Sequence, residues 1–160
     1  MDYKKNIILL LMIMLVSCGV SNKEADEAYR NGIEHLSTVK KQPSKKADAL
    51  YFLLIAAKND KYKTVDNAII ITSLAADIYS GKKNLTLDEK YELEDNIITG
   101  CKLLAELSDI KNNVEQKKCK AEIKNIAHSE LPIYYTIKTV LQKKDNNLYK
   151  KFESISNTTE

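Results

Sequence analysis

From about Lys23 onward, apolar residues return at every third or fourth position, and no sustained alternation with period two appears. That spacing draws a stripe down one face of a helix and leaves no half-buried strand for a sheet to use. Only four glycines and two prolines interrupt 160 residues, so little in the chain breaks a helix once it has started. The expectation is an all-α body in which helices joined by short loops pack as antiparallel hairpins, side by side in a bundle.

The boundaries follow from capping and turn chemistry. Ser21-Asn22-Lys23-Glu24 reads as a capping box opening a first helix that runs to about Val39, with Ala25, Ala28, Tyr29, Gly32, Ile33 and Leu36 on one stripe. Lys40 to Lys46 is a charged, proline-containing turn, and Ser44 is placed to cap a second helix carrying Ala47, Leu50, Tyr51, Leu54, Ile55 and Ala57. A third helix is expected from about Val65 to Tyr79, stopped by Ser80-Gly81. The second and third are apolar around much of their circumference, which marks both for the centre of the core. Thr86-Leu87-Asp88-Glu89 is a second capping box and opens a fourth helix to about Leu107. A fifth helix follows to about Ala127, Ser129-Glu130-Leu131-Pro132 starts a sixth through about Lys143, and Leu148, Tyr149, Phe152 and Ile155 suggest a short last one.

Upstream of this body the chain has a different character. Lys4 and Lys5 give a positive start, and Ile7 to Val16 are ten apolar residues in a row, half the roughly 20 that a membrane-spanning helix needs. The run ends in Leu15-Val16-Ser17-Cys18. This resembles the lipobox of bacterial lipoproteins, and the resemblance implies that residues 1–17 are a signal peptide that is removed. It also implies that Cys18 carries a thioether-linked lipid and usually an acylated amino group. Each buried methylene adds roughly 0.8 kcal/mol, so two or three acyl chains make a lasting anchor. The implied address is extracytoplasmic and membrane-anchored. Gly19 rather than Asp after the lipidated position resembles cargo sent to the outer membrane where a cell has two membranes, with the cell surface open as its final face. On this reading 18–22 is a lipidated leader, 23–155 a single domain and 156–160 a polar tail.

A second resemblance covers about a fifth of the chain. From Tyr29 to Asp60 it looks like a degenerate tetratricopeptide repeat, with Tyr29 and Gly32 in the first helix and Ala49, Ala56 and Asp60 around the second. The turn at Lys40 to Lys46 is about five residues longer than the repeat's, Lys61 stands where its closing proline would be, and no second clean copy follows. A short tetratricopeptide-like array and an idiosyncratic bundle both account for the small residues.

The other two cysteines, Cys101 and Cys119, flank the expected turn between the fourth and fifth helices symmetrically. An antiparallel hairpin sets them at about one height, which makes them candidates for a disulfide worth about 3 kcal/mol. Two unpaired cysteines on apolar faces is the alternative. The histidines, His35 and His128, lie far apart and outside any metal-ligand spacing. There is no glycine-rich phosphate loop, nucleophile elbow or His-Glu-x-x-His, so no catalytic residue, cofactor or metal is assigned and an enzyme is not expected. Asp88, Glu89, Glu92, Glu94 and Asp95 read as the solvated opening of a helix.

Net charge is +3, and removal of Asp2, Lys4 and Lys5 leaves 23 basic against 21 acidic residues, without the basic excess of a nucleic-acid binder. Charge is uneven along the chain: residues 84–109 hold seven acids against two lysines, and residues 110–151 hold ten lysines against four acids. Internal pairing between these stretches is the favoured reading; a basic face for an anionic polysaccharide or lipid headgroups is the other. The function expected is that of a lipid-anchored binding or scaffold protein at the cell envelope, with the membrane and a protein as partners. The alternative is a surface lipoprotein that meets host or environmental macromolecules, since size, lysine richness and low glycine content resemble the small helical surface lipoproteins of spirochaetes. Tyr29, Tyr51, Tyr62, Tyr79 and Tyr91 would line a binding groove if exposed, but tyrosine at helical spacing is more often a core edge, and no site is assigned to them.

Overall fold

The computed structural model describes residues 19–110 and 113–157, so Cys18 and the segment before it lie outside the described residues. Within them the chain forms α1 (Asn22–Thr38), α2 (Lys45–Ala56), a single 3-10 turn (Asp60–Tyr62), α3 (Val65–Gly81), α4 (Leu87–Asp109), α5 (Asn113–Ser129), α6 (Leu131–Lys144) and α7 (Asn146–Asn157), with no strand. The all-α reading holds, and the helices pack as a bundle.

Both capping boxes form. Ser21 accepts from the Glu24 N–H at 3.3 Å while the Glu24 carboxylate accepts from the Ser21 N–H at 3.0 Å, and Thr86 and Glu89 repeat the exchange at the head of α4. These pairs satisfy backbone donors that a helix start otherwise leaves open. Ser44 does not cap: it sits in helical geometry without a side-chain bond, because successive turns through Gln42 and Pro43 already lead the chain into α2. Gly81 does not stop α3 through a left-handed cap either, as no glycine has positive φ; Lys82 turns extended immediately after it.

The centre of the core is α3, which packs on α2, α4, α5 and α6. Ala68, Ile71, Ala75 and Ala76 on it are fully buried. α2 contributes Ala49, Leu50 and Leu53 to the same core, but it packs between α1 and α3 and leaves Tyr51 61% exposed, so it lies at the edge of the core rather than at its centre. Two glycines let helices approach closely. A Cβ on Gly32 of α1 would lie 2.8 Å from Leu53 Cγ on α2, and one on Gly100 of α4 would lie 2.2 Å from Thr72 Oγ1 on α3.

α6 and α7 form an antiparallel pair, joined by Lys138–Glu153 at 2.7 Å and by the Tyr134 and Ser156 hydroxyls at 2.9 Å. The latter contact buries Ser156, so the helical body runs through Asn157, past the expected end at residue 155. Lys143 and Lys144 pair with Glu94, and Lys151 with Asp109, tying the lysine-rich stretch to the acidic one inside the molecule. Among the described residues, no helix is long and apolar enough to cross a membrane.

Candidate functional site

α3 packs on both α2 and α4, whereas α2 and α4 hardly touch. The result is a groove with α2 on one side, α4 on the other and the end of α3 beneath. Two adjoining hollows of about 190 and 370 Å³ run along it, sharing Tyr51, Leu54 and Asn96. Ala47, Leu50, Ile78, Leu85 and Leu93 line one end, and Ile55, Ala57 and Leu103 the other. From Ala47 to Ala56 the α2 wall spans about 14 Å at 1.5 Å per residue, two and a half helical turns.

The groove is apolar with few polar groups. Among the described residues, the Tyr51 hydroxyl and the Asn96 side-chain amide make no hydrogen bond, and both residues line the two hollows. An amide and a hydroxyl on the walls of an apolar cleft are features that can orient a ligand. Lys82 and Glu89 pair on the rim, and the bonds from Lys82 and from Thr86 bring the Glu89 carboxyl down to about 2. Glu92 and Lys58 complete a rim of mixed charge. Of the five tyrosines left without a site, Tyr51 alone lines this groove; Tyr29 stacks on Tyr62 at 4.5 Å between ring centroids, and Tyr79 and Tyr91 belong to another cluster.

That cluster surrounds Glu94, which sequence reasoning placed in a solvated run and which the structure buries completely. Its carboxylate accepts from Lys143 at 3.0 Å and from Tyr79 at 3.2 Å, and pairs with Lys144 at 3.1 Å; Lys144 also lies 4.7 Å over the Tyr91 ring. Burial pushes the carboxyl pKa up, but the bonds from Lys143, Lys144 and Tyr79 outweigh it and hold the group below its ordinary value. Burial, and then the bond to Glu94, raise the Tyr79 hydroxyl pKa against the opposing pull of Lys143 and Lys144. The signal was present in the sequence, because Glu94 stands three, seven and ten residues before Ile97, Cys101 and Leu104 and so shares their buried face. Every Glu94 oxygen has a partner, which makes this a lock joining α3, α4 and α6 rather than an open site.

Cys101 and Cys119 are both buried, on α4 and α5, and the structure holds them as free thiols. Cys119 donates to the Leu104 carbonyl at 3.1 Å, so the hairpin register sets it opposite Leu104, nearly one turn from Cys101, whose own contact is Thr72 on α3. Burial pushes the Cys119 thiol up to about 11 and Cys101 higher still. Among the described residues, no three potential metal ligands cluster. His35 stacks on Phe52, and His128 is exposed at the end of α5. Comparison with family models, curated proteins and solved structures finds no match.

Proposed function

We propose that this chain is a lipid-anchored helical binding protein of the bacterial cell envelope, which holds a short amphipathic helix of a protein partner in the groove between α2 and α4. The observation that carries the binding half is that groove: a preformed apolar channel, walled by two and a half turns of α2, in which Tyr51 and Asn96 keep hydrogen-bonding groups without a partner among the described residues. A helix laid into such a channel buries an apolar face and offers polar atoms to the open amide and hydroxyl. The membrane half is supported by Leu15-Val16-Ser17-Cys18 after the ten-residue apolar run. In a cell with two membranes, Gly19 directs the anchor to the outer one.

Two measurements test the halves separately. Labelled palmitate should enter the wild-type chain and not C18S, which should also fail to mature and should leave the membrane fraction. A photo-crosslinking residue at Tyr51 or Asn96 in cells should give one discrete adduct. The same residue at Tyr135, which is equally exposed at 61% but lies on α6 outside the groove, should give none. Indistinguishable products from Tyr51 and Tyr135 would remove the groove from the account.

A further inference from the structure

We propose that the end of the body from which the N-terminus leaves is itself a bilayer-contact surface, with Ile110 and Val114 seated among the headgroups of a zwitterionic membrane. The proposal rests on the lipid-anchor reading of Cys18 and adds to it the face that the anchor presents. Asn59 donates to the Val20 carbonyl at 2.8 Å, which holds the start of the chain against the turn between α2 and α3. Val20 stands two positions after Cys18, a reach of about 7 Å when extended. A lipid on Cys18 therefore keeps this end of the body close to the bilayer surface.

What else lies at that end follows from the helix directions. α3 starts there, one residue after Thr64, and α4 ends there, because the two run antiparallel past the Thr72–Gly100 contact. Lys118 on α5 reaches Asp66 on the first turn of α3 at 2.8 Å, and Val114 stands one turn before Lys118 on the same helix face. Val114 is 73% exposed and Ile110, at the end of α4, is 45% exposed. Two large apolar side chains presented beside a lipid tether are placed to sink into the headgroup region. Among the described residues at this end, Lys61 pairs with Asp26, Lys63 with Asp60, and Lys118 with Asp66. With these three pairs closed inside the molecule, the contact proposed is the apolar one made by Ile110 and Val114, and it is expected to be insensitive to salt.

The chain contains no tryptophan, so a single introduced one reports its own surroundings. V114W and, separately, I110W would be made in the full chain, matured in a bacterium, checked for the lipid by intact mass and reconstituted into phosphatidylcholine vesicles containing spin-labelled quencher lipid. K83W, in the turn between α3 and α4, is the control, as that turn lies a helix length of about 25 Å away. The expected result is a blue shift and quenching for V114W and I110W, at a depth of about 5–10 Å and unchanged by high salt, with K83W emitting as in water. A lipidated protein in which both tryptophans emit like K83W would overturn this inference and leave the anchor standing. A chain that gains no lipid mass would overturn the anchor reading and this inference with it.

Discussion

The α1–α2 hairpin and the α3–α7 bundle are joined through the same helix-packing device and are supported differently. In each, one helix approaches its neighbour at a glycine: Gly32 against Leu53 in the hairpin, Gly100 against Thr72 in the bundle. Beneath Gly100 lies a core of large side chains, among them Ile71, Ile97, Leu104, Ile123, Ile137 and Leu141, contributed by four helices. Gly32 meets Leu53 of that same cluster, but Ala25, Ala28 and Ala56, also buried in the hairpin, lie outside it, and α1 packs chiefly on α2 and the 3-10 turn. Since apolar burial scales with area, the bundle holds most of the stabilisation and the hairpin is the region expected to open first.

The bundle should break hardest at Gly100. A methyl there meets Thr72 Oγ1 at 2.2 Å, and the Thr72 nitrogen and Ala68 carbonyl at 3.1 and 3.2 Å, so backbone rather than a flexible tip stands in the way. G100A should cost about 3 kcal/mol in urea unfolding, because overpacking against backbone exceeds the gain of about 1 kcal/mol from replacing a helical glycine. Cys101 and Cys119 supply a second readout. Both are buried in the bundle and none of the described residues of the hairpin is a cysteine, so in a C18S background thiol labelling should be slow in the parent and markedly faster in G100A.

A smaller effect is expected where α6 is fastened to α3 and α4. E94Q keeps the shape but loses the charge that Lys143 and Lys144 face; both lysines can turn to water, so the cost at neutral pH should be about 1–2 kcal/mol. The pH dependence has a definite sign. Because the folded-state pKa of Glu94 lies below its ordinary value of 4.5, its contribution is complete above that value and is lost as acid carries the solution through the lowered pKa. The difference in unfolding free energy between parent and E94Q should therefore shrink on acidification below pH 4.5. A difference that stayed constant with pH would mean that the carboxylate charge contributes nothing to the lock.

The two regions were unequally legible in the sequence. Helix starts that depend on a local side chain were readable: Ser21–Glu24 and Thr86–Glu89 bond within four residues, and no distant contact is needed to set them. Ser44 failed because its cap competes with a turn whose geometry Pro43 dictates. The exposure of α2 was not readable, since an apolar circumference says how much surface a helix can bury but not whether a second neighbour arrives to cover it. The groove exists because α4 stops short of α2, a fact of tertiary placement. Glu94 was misjudged by counting acids along the chain, where phasing against Ile97 and Cys101 would have put it inside.

The sharpest use of the comparison is the mildest substitution. In G32A the new methyl would lie 2.8 and 2.9 Å from Leu53 Cγ and Cδ2, but its nearest backbone atom, the Leu53 nitrogen, is at 3.4 Å. Leu53 is fully buried and cannot swing away, so α1 has to lift by a few tenths of an ångström, and with few other neighbours it is free to do so. Overpacking and the gain of about 1 kcal/mol in helix propensity then nearly cancel, leaving a net change within about 1 kcal/mol. Hydrogen exchange should quicken along α1, while Cys101 and Cys119 remain as slow to label as in the parent. If the thiols instead became reactive in step with the α1 amides, hairpin and bundle would be one cooperative unit, and the small-residue seam at Gly32 would be supporting the groove wall as firmly as the core beneath α3 does.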